Sequence, residues 1–261
     1  MSGNKPQSSP NRRIIIAIDG TSASGKSTTA RGVAQKLGYR YIDTGAMYRA
    51  ITVKVLARGI DPNDSAAVAE LVKHTTVQQR EENGRFRYFL DGLDVTNRIR
   101  TPEVDQAIGP VCEVPEVRAR MMTLQRRLGR SRGVVLEGRD IGTVVFPDAE
   151  LKVFLIADLK ERARRRMQQI AESRTSIPPT PFSQTAENER ERIAPSIEFF
   201  EESLKSRDVR DSQRQLSPLT KADDARELDT TCLTIEEQID IIVGWARAII
   251  DRKIDLKNEA P

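Results

Sequence analysis

Ile14, Ile15, Ile16, Ala17 and Ile18 form an unbroken apolar run that stops at Asp19 and opens into Gly20-Thr21-Ser22-Ala23-Ser24-Gly25-Lys26-Ser27. A β-branched run without polar alternation suits a strand buried on both faces, as in a parallel sheet. The eight residues from Gly20 match G-x-x-x-x-G-K-[ST], and the segment from Lys26 to Leu37 reads as a helix ended by Gly38. Strand, glycine-rich turn and helix in this order constrain the chain more than any other feature. The glycines let several backbone N–H groups point inward, and the helix adds its positive N-terminal end. Gly20 to Thr28 then form a nucleotide-binding loop in which Lys26 reaches the β and γ phosphates and the Ser27 hydroxyl ligates Mg2+.

Further buried-strand candidates are Tyr39–Ile42, Val134–Leu136 and Val153–Ile156, with a short one at Glu227–Thr230. Helices are predicted after Asp43, over Pro115–Gly129, from Leu159 to about Glu172, in two polar stretches up to about Leu216, and after the capping box Thr234-Ile235-Glu236-Glu237. Strands separated by helices indicate an α/β fold with a mainly parallel sheet. Residues 60–111 differ in character. An Ala-rich helix follows Asp61-Pro62-Asn63-Asp64, and Phe86, Tyr88 and Leu90 alternate with polar residues after Asn83-Gly84, a hairpin signal. This stretch reads as a small inserted subdomain with an antiparallel hairpin. Residues 1–12 read as a disordered tail and residues 174–186 as a Pro- and Ser/Thr-rich loop.

Composition excludes several chemistries. No apolar run approaches the ~18 residues of a membrane span, and the N-terminus lacks a secretory pattern. One His and two Cys disfavour a Ser-His-Asp triad, a Cys/His zinc site and a disulfide framework, which leaves a reducing cytoplasm as the expected setting. Basic residues number 42 against 38 acidic ones, and 31 of the 42 are Arg. Arg grips phosphate two-handed, which Lys does not. The near-balance of charge and the lack of aromatics in the basic helix from Pro115 argue against nucleic acid. Arg162, Arg164, Arg165 and Arg166 form a run expected to be mostly a solvated helix face. His74 is expected in a surface helix, and Cys112 and Cys232 as packed thiols.

A phosphate loop defines a nucleotide site without defining a reaction. A switch GTPase would need a guanine-reading [NT]-K-x-D after a buried strand and a D-x-x-G. Thr220-Lys221-Ala222-Asp223 matches the first by letter, but Gln215–Leu219 before it is a poor strand and the chain has no D-x-x-G. A small-molecule kinase is the other class, and it must hold a second anionic substrate against the γ-phosphate. The segments Asp43–Arg49, Ile99–Val104, Glu137–Ala149, Arg207–Arg214 and Pro218–Ala225 resemble bacterial-type cytidylate kinases, with the stretch Gly138–Ala149 the most specific, and the resemblance runs from about Ile14 to Ile249.

The resemblance implies a P-loop NTPase-type three-layer α/β fold with a five-stranded parallel sheet, a nucleotide-binding insertion at 60–111 and a helical lid at 162–215. It implies transfer of the γ-phosphoryl group of ATP-Mg2+ to CMP or dCMP, in pyrimidine nucleotide metabolism, by a cytoplasmic monomer with no nucleic-acid or membrane partner. Thr44, Arg49 and Arg139 would bind the CMP phosphate, and Tyr48, one helical turn after Thr44, would pack against the nucleotide. Asp140 would accept from the cytosine amino group, Arg118 would donate to the ring, and Asp211 would take the sugar hydroxyls. Arg207 and Arg214 would close over the phosphates, with Arg166 reaching those of ATP. Catalysis would fall to Lys26, Arg139, Arg166 and Arg207. Glu137 would orient a Mg2+-bound water or serve a structural ion pair. Gly109 stands where many members of that family carry a cytosine-contacting Ser, so the base preference, CMP or UMP, stays open at this level. A kinase for another acceptor and a non-catalytic nucleotide-binding protein are the remaining alternatives.

Overall fold

The computed structural model describes residues 13–175 and 196–258. The expected tail at 1–12, the loop from residue 176 onward and the first of the two polar helices expected before Leu216 lie outside the described residues.

Five parallel strands form the main sheet: β1 (Ile15–Gly20), β2 (Arg40–Asp43), β6 (Val134–Glu137), β7 (Leu151–Ile156) and β8 (Arg226–Asp229). Their order across the sheet is β2-β6-β1-β7-β8, with β1 in the centre. All six residues of β1 and all four of β6 are buried, as uninterrupted apolar runs require when helices cover both faces. Helices α1 (Lys26–Leu37) and α8 (Ile235–Asn258) cover one face, where Ile14, Ile16, Ile18, Val33, Ile242 and Ala246 pack together. On the other face α2 (Thr44–Ala57), α4 (Pro102–Glu113) and α5 (Pro115–Gly129) enclose Ala17, Met47, Ile51, Val117, Met121 and Leu136.

The stretch between α2 and α4 holds α3 (Ser65–Lys73) and a separate antiparallel sheet of β3 (Val77–Glu82), β4 (Arg85–Leu90) and β5 (Leu93–Asp94). Asn83 and Gly84, both at positive φ (53° and 72°), make the two-residue turn that the sequence predicts. Helices α6 (Leu159–Thr175) and α7 (Ile197–Gln213) pack against each other beside the sheet through Ala163, Phe200 and Leu204.

Parallel pairing sets Ile18 beside Glu137, and Glu137 beside Asp43. The carboxyl ends of β1, β6 and β2 therefore meet at one edge, where open α/β sheets hold ligands. Gly20, the last residue of β1, has to be glycine because a Cβ there would stand 2.1 Å from the Leu155 carbonyl oxygen of β7. Ile16 is fully buried in the central strand. Ile16→Ala is expected to cost about 2–5 kcal/mol, read as a lower urea midpoint with an unchanged slope.

Candidate active site

The phosphate loop turns through Ala23 (φ 61°) and Gly25 (φ 93°), the latter capping α1. Left-handed backbone at these two residues swings the loop's N–H groups toward one centre. Ser22, Ala23, Gly25, Lys26, Ser27 and Thr28 line a cavity of about 610 Å3 at the carboxyl edge of the sheet. Gly20, Thr21 and Ser24 lie behind that surface. Ser24 is fully buried and donates to the Thr21 carbonyl at 3.0 Å, so it braces the loop. Lys26 donates to the same carbonyl at 2.5 Å, and burial together with Arg139 pushes its ammonium well below the usual lysine range. The Ser27 hydroxyl donates to Glu137 at 2.9 Å, and Tyr41 donates to the other oxygen of that carboxylate. Burial and the neighbouring Asp43 push the Glu137 carboxyl upward.

The opposite wall is built from arginines held on carboxylates. Arg139 places Nε 2.8 Å from Asp211 and Nη2 2.9 Å from the Ser22 hydroxyl, so it bridges α7 to the phosphate loop. Arg118 pairs with Asp140 at 2.5 Å and stands 5.7 Å from the Tyr48 ring centre. Arg214 lies 4.0 Å from Asp140 and 3.8 Å from Asp211. Thr44 opens α2 beneath this wall and donates to the Glu137 carbonyl at 2.6 Å. Thr44, Tyr48, Arg49, Gly109, Arg118, Glu137, Arg139, Asp140, Arg166, Arg207, Asp211 and Arg214 all line the same cavity.

Asp105, on α4, is a cavity residue that sequence reasoning missed. It pairs with Arg49 at 2.5 Å, Arg166 at 3.0 Å and Arg207 at 3.9 Å. Burial alone would raise its carboxyl, but the three guanidinium groups outweigh burial and hold it below the usual range. In sequence it is only an acid in the first turn of a helix, a common feature that favours the helix dipole.

A second missed residue is Asp19. Its carboxylate accepts from the backbone N–H of Ile141 at 2.9 Å and of Gly142 at 2.7 Å, inside the π-helical turn Ile141–Val145. Asp19 thereby fixes the backbone that carries Arg139 and Asp140. A polar residue closing an apolar strand was the available signal.

The expectation that the Arg162–Arg166 run is mostly a solvated face is corrected. Arg162 is buried, donating to the Ser22 carbonyl at 3.2 Å and pairing with Asp208 at 2.5 Å. Arg165 donates to the Thr230 carbonyl at 2.6 Å, and of the four only Arg164 is mainly solvated. These partners lie in other elements, which local charge density does not reveal. His74 caps the end of α3 rather than lying within it, and Cys232 is exposed rather than packed.

Burial pushes the Asp19 carboxyl up to about 6, against the pull of its two backbone N–H donors. The folded chain therefore holds this proton more tightly than the unfolded chain, so the contribution is favourable at low pH and lost as pH rises. Relative to Asp19→Asn, which does not titrate, the wild type should lose about 2–3 kcal/mol of stability as pH climbs from 3.8 to about 6. Urea unfolding of both proteins across that range measures it. A difference independent of pH would mean that the carboxyl is unperturbed.

The family model described as cytidylate kinase matches residues 16–180 and 182–248. A cytidylate kinase of Chloroherpeton thalassium is 46% identical over 250 residues, which cover 95% of this chain and 99% of that protein. One from Cytophaga hutchinsonii is 43% identical over 250 residues, with the same coverage of 95% and 99%. One from Oceanobacillus iheyensis is 42% identical over 234 residues, covering 89% and 94%. Likeness of this extent, in a chain whose phosphate loop faces a wall of paired arginines across one cavity, makes it a member of the cytidylate kinase family.

Proposed function

We propose that the chain transfers the γ-phosphoryl group of ATP to the phosphate of CMP or dCMP, giving ADP and CDP or dCDP. The observation that carries this reading is the single cavity with a phosphate loop on one side and paired arginine forks on the other. An oxygen of the acceptor phosphate forms the new P–O bond as the bond from the γ-phosphorus to the bridging oxygen of ADP breaks. That oxygen is ionised at neutral pH, so the reaction needs positioning and charge neutralisation more than a general base.

Lys26 and the loop N–H groups would hold the ATP phosphates. Arg49, Arg139 and the Thr44 hydroxyl would hold the acceptor phosphate, while Arg166 and Arg207 would gather charge around the transferred group. Asp140 and Arg118 would read the base beside Tyr48, and Asp211 would take the sugar, with Arg214 bracing both carboxylates. The Ser27 hydroxyl and the Glu137 carboxylate, 2.9 Å apart, are hard oxygen donors that suit Mg2+, which Ser27 would hold directly and Glu137 through water. When bound, Mg2+ neutralises phosphate charge. In this reading residues 60–111 are the acceptor-binding insertion and 162–215 the lid region, in a cytoplasmic monomer of pyrimidine nucleotide metabolism. No helix among the described residues is long and apolar enough to cross a membrane.

ADP formation from ATP-Mg2+ should be measured with CMP, dCMP, UMP, AMP and shikimate in turn. Turnover with CMP and dCMP is expected. Turnover confined to UMP or shikimate would move the chain to another acceptor, and tight ATP binding with no turnover would make it a binding protein. Lys26→Ala is expected to abolish transfer with every acceptor. Arg139→Met is expected to lower kcat about 10^3–10^5-fold, and a near-normal rate would remove Arg139 from the reacting centre.

A further inference from the structure

Ser22 lies within the phosphate loop, and side chains from outside the loop take each of its polar groups. Its backbone N–H donates to Asp208 Oδ1 at 3.1 Å, its carbonyl accepts from Arg162 Nη1 at 3.2 Å, and its hydroxyl accepts from Arg139 Nη2 at 2.9 Å. The two side chains that hold the backbone also hold each other, since Arg162 donates to the second Asp208 oxygen at 2.5 Å. Arg162 is tied in turn to the Ala157 carbonyl, just before α6, at 3.0 Å.

Neither Arg162 nor Asp208 lines the large cavity. With Thr21 and Phe154 they line a separate one of about 350 Å3. They therefore stand apart from the surface that meets the substrates. Ion pairing of this largely buried kind adds little net stability, and an apolar pair of similar volume would fill the space as well. An apolar pair would not bond both backbone groups of Ser22 at fixed positions.

Asp208 and Asp211 are three residues apart on α7 and so share a face. Asp211 holds the Arg139 Nε at 2.8 Å, and Arg139 reaches back to the Ser22 hydroxyl. Asp208, Ser22, Arg139 and Asp211 thus form a ring that one turn of α7 closes, with Arg162 buttressing Asp208 from α6. Asp19 fixes the backbone beside Arg139, whereas this ring fixes the far end of its side chain against the loop. Binding of ATP itself has other supports in Lys26, Ser27 and the N-terminal end of α1. We infer that Arg162 and Asp208 are positioning residues for phosphoryl transfer: by tying the Ser22 backbone to α7 they set the phosphate loop in register with Arg139, and so align donor and acceptor phosphates without touching either. The inference rests on the proposed kinase reaction and names two residues on which its alignment depends.

Steady-state kinetics with ATP-Mg2+ and CMP, run well below each variant's Tm, test it together with thermal unfolding. Asp208→Ala should lower kcat about ten- to a hundredfold, the size expected for a displacement of up to about 1 Å. KM for ATP and for CMP should each change less than about threefold, because the lost contact acts on alignment and not on binding. Asp208→Ala also strands the Arg162 cation, so its Tm should fall. Arg162→Met combined with Asp208→Ala removes both charges, and its Tm should return toward wild type while kcat stays low. Recovery of kcat along with Tm would make the pair a purely structural one and overturn the inference. Ser22→Ala should cost less kcat in the Asp208→Ala background than in wild type, since both changes break one ring, and fully additive losses would overturn it. So would an unchanged kcat in Asp208→Ala, or a rise in KM for ATP with kcat intact. Failure of both Asp208→Ala and the charge-free double variant to fold would assign the pair to stability alone, with the same result. A wild type that does not phosphorylate CMP at all defeats the proposed function itself, which separates that failure from these.

Discussion

Gathering guanidinium groups around one cavity is opposed by their mutual repulsion, and the rest of the site is arranged to overcome that. At a separation of a few ångströms and reduced dielectric, each like-charge pair costs several kcal/mol. Asp105, Asp140 and Asp211 answer this by taking two or three arginines each. These pairs are partly or fully desolvated, so their net contribution to stability is small or negative. What they contribute is placement. A fork already held at 2.5–2.8 Å on a carboxylate has lost its rotamer freedom before any ligand phosphate arrives. Asp105 does most in this respect, because its three arginines come from α2, α6 and α7. The carboxylate on α4 therefore ties the helices around the acceptor side to those beside the phosphate loop.

The strand–turn–helix at Ile14–Leu37 was legible in the sequence because its physics is local. An apolar run, a left-handed turn and a helix start each follow from residues adjacent in the chain. The hairpin at Asn83-Gly84 was legible for the same reason. Arg139 and Asp140 were reached through a recognised stretch of residues, not through any period or spacing. Asp19 and Asp105 escaped, since a polar residue closing an apolar strand and an acid in a first helical turn do not say that one will cap a turn at Ile141 and the other will collect Arg49, Arg166 and Arg207. Arg162 and Arg165 misled for the complementary reason. A dense run of charge on a helix is usually solvated, but here the helix lies against the phosphate loop and β8, whose carbonyl groups at Ser22 and Thr230 take the donors. Long-range pairing is the common cause of both failures.

Gly109 shows how a residue with no functional group can still shape a cavity wall. Its value is an absence of volume, which only the opposing helix makes meaningful. The same logic operates at Gly20, where the missing Cβ lets the β7 backbone approach the start of the phosphate loop. In one case the space admits backbone and fixes the fold, and in the other it admits the Arg210 side chain.

Transfer between two bound phosphates depends on the distance between two cradles, and that distance is set within β1 and its turn. Asp19 is the last side chain before the glycine-rich loop, and it holds the Ile141–Gly142 backbone by two hydrogen bonds of 2.9 and 2.7 Å. The residues immediately before that backbone are Arg139 and Asp140, assigned to the acceptor. Those immediately after Asp19 are Gly20–Thr28, assigned to the donor. Both sides are thus anchored to consecutive residues of the central strand of the sheet, and Arg139 adds a direct link to Ser22 at 2.9 Å. An error of 1 Å in such a spacing can cost about 10^2-fold in rate. Placing both cradles on one strand end leaves less room for that error than two loops from separate layers would, and it gives the buried Asp19 carboxylate, which lies behind the cavity lining, a part in setting the spacing.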